Sequence, residues 1–138
     1  MANAADAVRI LEAGADLLSP VLSPARFTFQ LTHQGRSSGG DFATGRFTRG
    51  GQYLEFHVRH SLGLVTYGWD GTAISHGDYL RGLGVAGAYP GYSTDPLDGF
   101  RHLALDLAGP LSGFREGNRR EYERSLQAAR QPRNRRLP

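Results

Sequence analysis

Polar and apolar positions alternate most strictly over residues 53–59, YLEFHVR. Leu54, Phe56 and Val58 fall on one side of an extended chain, and Tyr53, Glu55, His57 and Arg59 on the other. A period of two is the signature of a strand buried on one face only. Leu64 to Tyr67 is rich in β-branched and aromatic residues and predicts a second strand ending at Trp69, with His60-Ser61-Leu62-Gly63 as the turn of a hairpin. The same alternation recurs upstream. Phe27, Phe29 and Leu31 share one face of Arg26 to His33, with His33 at its end, while Arg26, Thr28, Gln30 and Thr32 share the other. Asp41 to Arg49 reads as a further strand, with Phe42 and Phe47 on opposite faces unless a bulge at Gly45 brings both to the core side. Gly50-Gly51 is a two-residue hairpin connection, and QGRSSGG at 34–40 is a flexible loop. The connections after that loop are too short for a crossover helix, so the four strands are expected as an antiparallel meander.

Helical spacing brackets this block. Over residues 4–18, Val8, Leu11, Ala15 and Leu18 follow the i, i+3, i+4 pattern, and Ser19-Pro20 with Ser23-Pro24 predicts a helix end and an extended connector. Downstream, Ser75 has the position of an N-cap for a short helix, His76 to Leu83, ended by Gly84. Asp95-Pro96 starts a helix carrying Leu97, Phe100, Leu103, Ala104 and Leu107, and Gly109-Pro110 stops it. A last helix is expected from about Ser112 to Arg130, its first half weakened by Gly117. The order predicts an α+β fold: an N-terminal helix, a four-stranded antiparallel meander sheet, then three C-terminal helices packed on one face and the other face at least partly open. One domain over 1–129 and a disordered basic tail over 130–138 complete the expectation.

Charge changes the picture at one end only. The net charge of +3 comes from sixteen arginines, with no lysine, against thirteen acids, and residues 130–138 hold four of those arginines and no acid. Residues 1–129 are therefore close to neutral. The tail residues Arg130, Arg133, Arg135 and Arg136 suit weak, salt-sensitive phosphate contact, but no helix-turn-helix, zinc-finger or RNA-binding aromatic motif accompanies them. A solvated terminus explains them as well. The absence of cysteine rules out disulfides and thiolate chemistry. No apolar run reaches the ~20 residues of a membrane span, and acids interrupt the first twenty residues, so a soluble, cytoplasmic protein is expected.

Candidate chemistry is sparse. His57 and His60 are three apart, which on a strand sends them to opposite faces, so no metal or other cofactor is expected. Ser75-His76-Gly77-Asp78 places three catalytic residue types in four positions, yet capping accounts for Ser75 and Asp78 without chemistry. No GxSxG elbow or phosphate-binding glycine loop is present. The remaining signal is aromatic and arginine-rich surface. Tyr53, Glu55, His57 and Arg59 on the polar strand face, Trp69 at a strand end, and Tyr89 and Tyr92 in the Gly/Pro loop 85–94 are the residue types enriched where proteins bind one another.

In size, lack of cysteine and order of elements the chain resembles small bacterial proteins that neutralise a toxin by binding it, such as polymorphic-toxin immunity proteins. That resemblance implies a non-enzymatic module with a protein partner. A small enzyme or ligand-binding protein with a pocket between sheet and helices, lined by His60, His76 or Asp78, is the alternative. A nucleic-acid accessory role through the arginine tail is the third reading.

Overall fold

The computed structural model describes residues 4–38, 40–87 and 95–130. A helix, α1 (Ala4–Leu22), leads through a single 3-10 turn at Ser23–Ala25 into five strands: β1 (Thr28–Ser37), β2 (Gly40–Arg49), β3 (Gln52–Val58), β4 (Leu62–Trp69) and β5 (Thr72–Ser75). Helices α2 (His76–Leu83), α3 (Asp98–Ala108), α4 (Ser112–Glu116) and α5 (Arg119–Ala129) follow. The strands form one antiparallel sheet in the order β1-β2-β3-β4-β5, which is the meander their short connections require.

Strict alternation in β2 and β3 divides the sheet into two faces. Ala43, Phe47, Leu54, Phe56 and Val58 are at most 1% exposed, and Thr44, Arg46, Glu55 and His57, which alternate with them, are only half-buried. All the helices that reach the sheet lie on the apolar face. Leu11 of α1 approaches Gly45 so closely that a Cβ there would stand 3.1 Å from its Cδ2 and 2.7 Å from the Phe29 ring. Phe100 of α3 meets Phe56 edge-on at 5.5 Å between ring centroids. It also fills the space above Gly14, where a Cβ would come within 2.4 Å of the ring. That contact explains a glycine in the middle of α1, where helix propensity disfavours it by ~1 kcal/mol.

Phe114 of α4 is the aromatic hub at the other end of the core. Its ring lies 5.0 Å from Tyr67, 5.7 Å from Phe27, 5.8 Å from Trp69 and 6.3 Å from Tyr79. Polar groups hold it there from the sheet side. Gln52 donates to the Phe114 carbonyl at 2.7 Å, and Arg49 donates to the carbonyls of Ala25 and Arg115 at 2.7 and 2.8 Å. The β2–β3 hairpin therefore supplies donors to the carbonyls that end the 3-10 turn and α4, where Phe114 also accepts from the Gly117 amide at 3.3 Å.

The structure departs from the sequence reading in several places. Residues 34–40, expected as a flexible loop, lie largely within β1 and β2, which stay paired out to Ser37↔Gly40. Leu62 and Gly63 belong to β4 and not to the turn before it, and Leu62 is buried. Helix α3 begins at Asp98, not at Asp95-Pro96; the Asp95 side chain accepts from the Leu97 amide ahead of it. A fifth strand, β5, pairs with β4 from Thr66↔Ser75 to Trp69↔Thr72. It is four residues long with one core side chain, Ile74, so it carries no readable alternation. Its signal was the turn before it: Asp70 and Gly71 have φ of 49° and 86°, the left-handed pair that closes a tight hairpin. Helix α1 continues through Pro20 to Leu22, because Leu18 and Leu22 are fully buried and their burial outweighs one missing backbone hydrogen bond. The Ser23–Ala25 segment is a 3-10 turn, not an extended connector, and Arg26 leaves it with φ 73°, so β1 begins at Thr28.

The expected last helix is two helices. Gly117 adopts φ 81° and caps α4, and the Asn118 side chain then accepts from the Glu121 amide to start α5. The bulge considered at Gly45 is absent, since β2 and β3 pair without a register shift. The shift lies in β1, between Leu31 and His33. Phe42 and Phe47 accordingly face opposite ways. The Ser75 cap and the Gly84 stop of α2 occur as expected, with Ser75 Oγ accepting from the Asp78 amide at 3.2 Å.

Replacing Phe114 by alanine should lower stability by about 3–5 kcal/mol, the range for a fully buried aromatic. Urea unfolding followed by tryptophan fluorescence measures it, because Trp69 touches the same ring.

Candidate functional site

The outer face of the sheet bears the side chains that the core does not use. Register places them. Thr44 stands opposite His57, Arg46 opposite Glu55, Thr48 opposite Tyr53, and on the other side of β3 Glu55 meets Thr66 and Tyr53 meets Gly68. Among the described residues no helix packs on this face.

The face is internally bonded in two groups. In the first, the Arg46 guanidinium lies 4.0 Å from the centre of the Tyr53 ring and donates to Glu55 at 2.9 Å. The Tyr53 ring lies across Gly68, where any Cβ would fall within 1.9 Å of it. Glycine at 68 is thus what allows the tyrosine to lie flat on the sheet. In the second group, Phe42 stacks on His57 at 5.5 Å with 24° between planes, and Thr44 Oγ1 is 3.0 Å from His57 Nδ1. Arg59 stands 5.7 Å over the other aromatic, Phe42, and donates to the Gly40 carbonyl at 3.0 Å. Partial burial, followed by the nearby Arg59 charge, holds the His57 ring below the usual imidazole range, with Glu55 opposing. His57 is therefore neutral near pH 7.

Tyr53, Glu55, His57 and Arg59 are brought together as the alternation predicted. Trp69 is not with them. It is 9% exposed on the helix side, packed against Phe114 and Tyr122, with the Arg119 guanidinium 5.7 Å above its ring. Its parity places it there: Trp69 has the same phase as Val65 and Tyr67, which are core. Tyr89, Tyr92, Arg133, Arg135 and Arg136 lie outside the described residues, and Arg130 is the exposed residue that ends α5.

Three further members of the outer face, Phe42, Arg46 and Leu64, were not singled out from sequence. Even-numbered positions of β2 would have supplied the first two. Leu64 is 68% exposed because it alternates with buried Val65; the extra residue that β4 carries between Val65, which pairs with Phe56, and Leu62, which pairs with Val58, returns Leu62 to the core.

The residues nominated for an alternative pocket do not converge. His60 is exposed in the β3–β4 turn, and Asp78 pairs with Arg81 at the surface. His76 turns inward. Its Nδ1 lies 2.8 Å from the Tyr67 hydroxyl and its Nε2 lies 2.8 Å from Asp106 of α3. With a neutral ring, Nε2–H donates to the carboxylate and Nδ1 accepts from the tyrosine, which satisfies each member. Tyr67, His76 and Asp106 are 0%, 5% and 1% exposed, so this Tyr-His-Asp chain ties β4, α2 and α3 together beneath the surface. Burial lowers the His76 pKa against the opposing pull of Asp106, and burial raises that of Tyr67 far above its usual value. No group of three or more metal-ligating side chains occurs among the described residues, and no helix is long and apolar enough to cross a membrane.

Comparison with protein-family models, with curated proteins and with solved structures finds no match to this chain.

Both His57 and His76 bind a proton less readily in the folded protein than at the ordinary value of 6.5. The unfolded chain holds more protons below that pH, so their contribution to stability is complete above about 6.5 and is lost as pH falls from there toward the folded values. NMR titration of the ring carbons should give both midpoints below 6.5. Tyr67→Phe, which removes the donor to His76 Nδ1, should lower stability by about 1–2 kcal/mol at pH 7 in urea unfolding.

Proposed function

We propose that the protein is a non-enzymatic binding module that docks a protein partner on the outer face of its sheet, in the manner of a toxin-neutralising immunity protein. One observation carries the reading. A contiguous array of tyrosine, phenylalanine, histidine and arginine side chains occupies a sheet face that no described helix covers, and the core does not require it.

The chemistry of that array supports the reading. Tyrosine and arginine dominate interface hot spots because they combine large contact area with directional hydrogen bonding. Here their conformations are fixed before any partner arrives: Tyr53 by Gly68 and Arg46, and Arg59 by Gly40 and Phe42. Side chains already held in place lose less freedom on binding, which favours affinity. Exposed Leu64 adds an apolar contact beside them. Arg46 and Glu55 already neutralise each other, whereas Arg59 makes no ion pair among the described residues and offers a guanidinium fork to an acidic group on the partner.

The test uses three versions of the full chain as bait in lysate of the native host: the unaltered protein, Tyr53→Ser/Arg59→Glu, and Leu105→Ser as an exposed control on α3. A stoichiometric partner should be retained by the first and third and lost by the second. With that partner purified, the double substitution should weaken binding at least a hundredfold, as two hot-spot residues of ~1.4 kcal/mol or more each would require. Equal capture by all three, or turnover by the isolated protein in a hydrolase and transferase screen, would overturn the proposal.

A further inference from the structure

We infer that the free edge of β1 is a second binding site, which takes an extended peptide carrying apolar and basic side chains. Among the described residues β1 pairs with β2 only, so along its other side every second residue presents unpaired backbone groups. Proteins blunt such an edge with a bulge, proline or inward charge. In β1 the bulge comes only after Leu31, which leaves Thr28–Leu31 as a regular, unprotected stretch.

A groove of about 810 Å³ lies against that same stretch, between β1 and α1. Its floor is apolar, formed by Ala15, Phe29 and Phe47, and Glu12, Asp16 and Arg26 stand around it. A strand added to β1 would direct alternate side chains into this groove, with main-chain hydrogen bonds supplying affinity and the groove supplying selection.

Charge decides which peptide. Glu12 and Asp16 are exposed, one helical turn apart on α1, and neither forms an ion pair among the described residues. Like charges at that spacing disfavour the helix slightly. Two carboxylates against the one guanidinium of Arg26 leave the groove net acidic, so a cation from a bound segment would relieve them. The occupant is therefore an extended segment whose groove-facing positions alternate between an aliphatic residue and arginine or lysine. None of Tyr53, Glu55, His57 and Arg59 lines the groove, so the site is independent of the outer face.

The probe is an eight-residue peptide in which threonine alternates with valine and arginine, and its partner probe carries glutamate in place of arginine. Titration of the full, isotope-labelled chain should shift amide signals in residues 12–19 and 26–31 with the arginine peptide. Binding should fall roughly tenfold for Glu12→Gln/Asp16→Asn, the amount two partly exposed charge contacts supply, and at least as much for the glutamate peptide. Ser23→Trp, which places an indole in the groove mouth, should abolish the shifts while the circular dichroism spectrum is unchanged. No shift at millimolar peptide, equal binding of the two peptides, or binding that survives Ser23→Trp would each overturn the inference.

Discussion

Everything else in the molecule depends on the two-residue period of β3. Leu54, Phe56 and Val58 must all point one way for the core to exist, and each is completely buried. The pleat then fixes Tyr53, Glu55 and His57 on the opposite side. A slip of one residue would exchange the two sets and place a carboxylate and an imidazole against Phe100. Register is thus enforced by hydrophobic burial, and the outer array is positioned by the same force without contributing to it. The neighbours reinforce the choice. Gly45 and Gly68 lie on opposite faces, and each leaves room for close approach: Phe29 and Leu11 on the core side, Tyr53 on the outer side.

Helices gather on the apolar face through three kinds of attachment. Aromatic rings supply area, with Phe56–Phe100 joining α3 and Phe114 joining β4, α2 and α4. Hydrogen bonds from Arg49 and Gln52 satisfy carbonyls at helix ends. The Tyr67–His76–Asp106 chain fixes α2 and α3 to β4 through a buried polar link that is satisfied at each junction. Polar ties of this kind add specificity of arrangement, because an alternative packing would leave a buried hydroxyl, ring nitrogen or carboxylate without its partner. With the helices committed to that side, no described helix covers the other face.

The fold class and the positions of most elements were legible in the chain because alternation, caps and glycine stops are local. The departures come from tertiary forces. Pro20 stays helical because Leu22 is buried, β5 exists because β4 offers it an edge, and the register shift of β1 is set by pairing with β2. On the outer face, Tyr53, Glu55, His57 and Arg59 followed from parity alone. Trp69 did not, because residue type suggested surface while its phase with Tyr67 placed it in the core. The buried link between His76 and Asp106 spans thirty residues, and no sequence spacing predicts such a pairing. The groove beside β1 is equally a product of how α1 crosses the sheet.

The central claim is that the outer face is a partner surface and not a solvated by-product of the pleat. Carbethoxylation of His57 by diethyl pyrocarbonate, followed by mass spectrometry with and without the partner, tests it most directly. His57 should be modified in the free protein and its rate should fall at least tenfold in the complex, while buried His76 stays unmodified in both. An unchanged rate at His57 with the partner bound would contradict it.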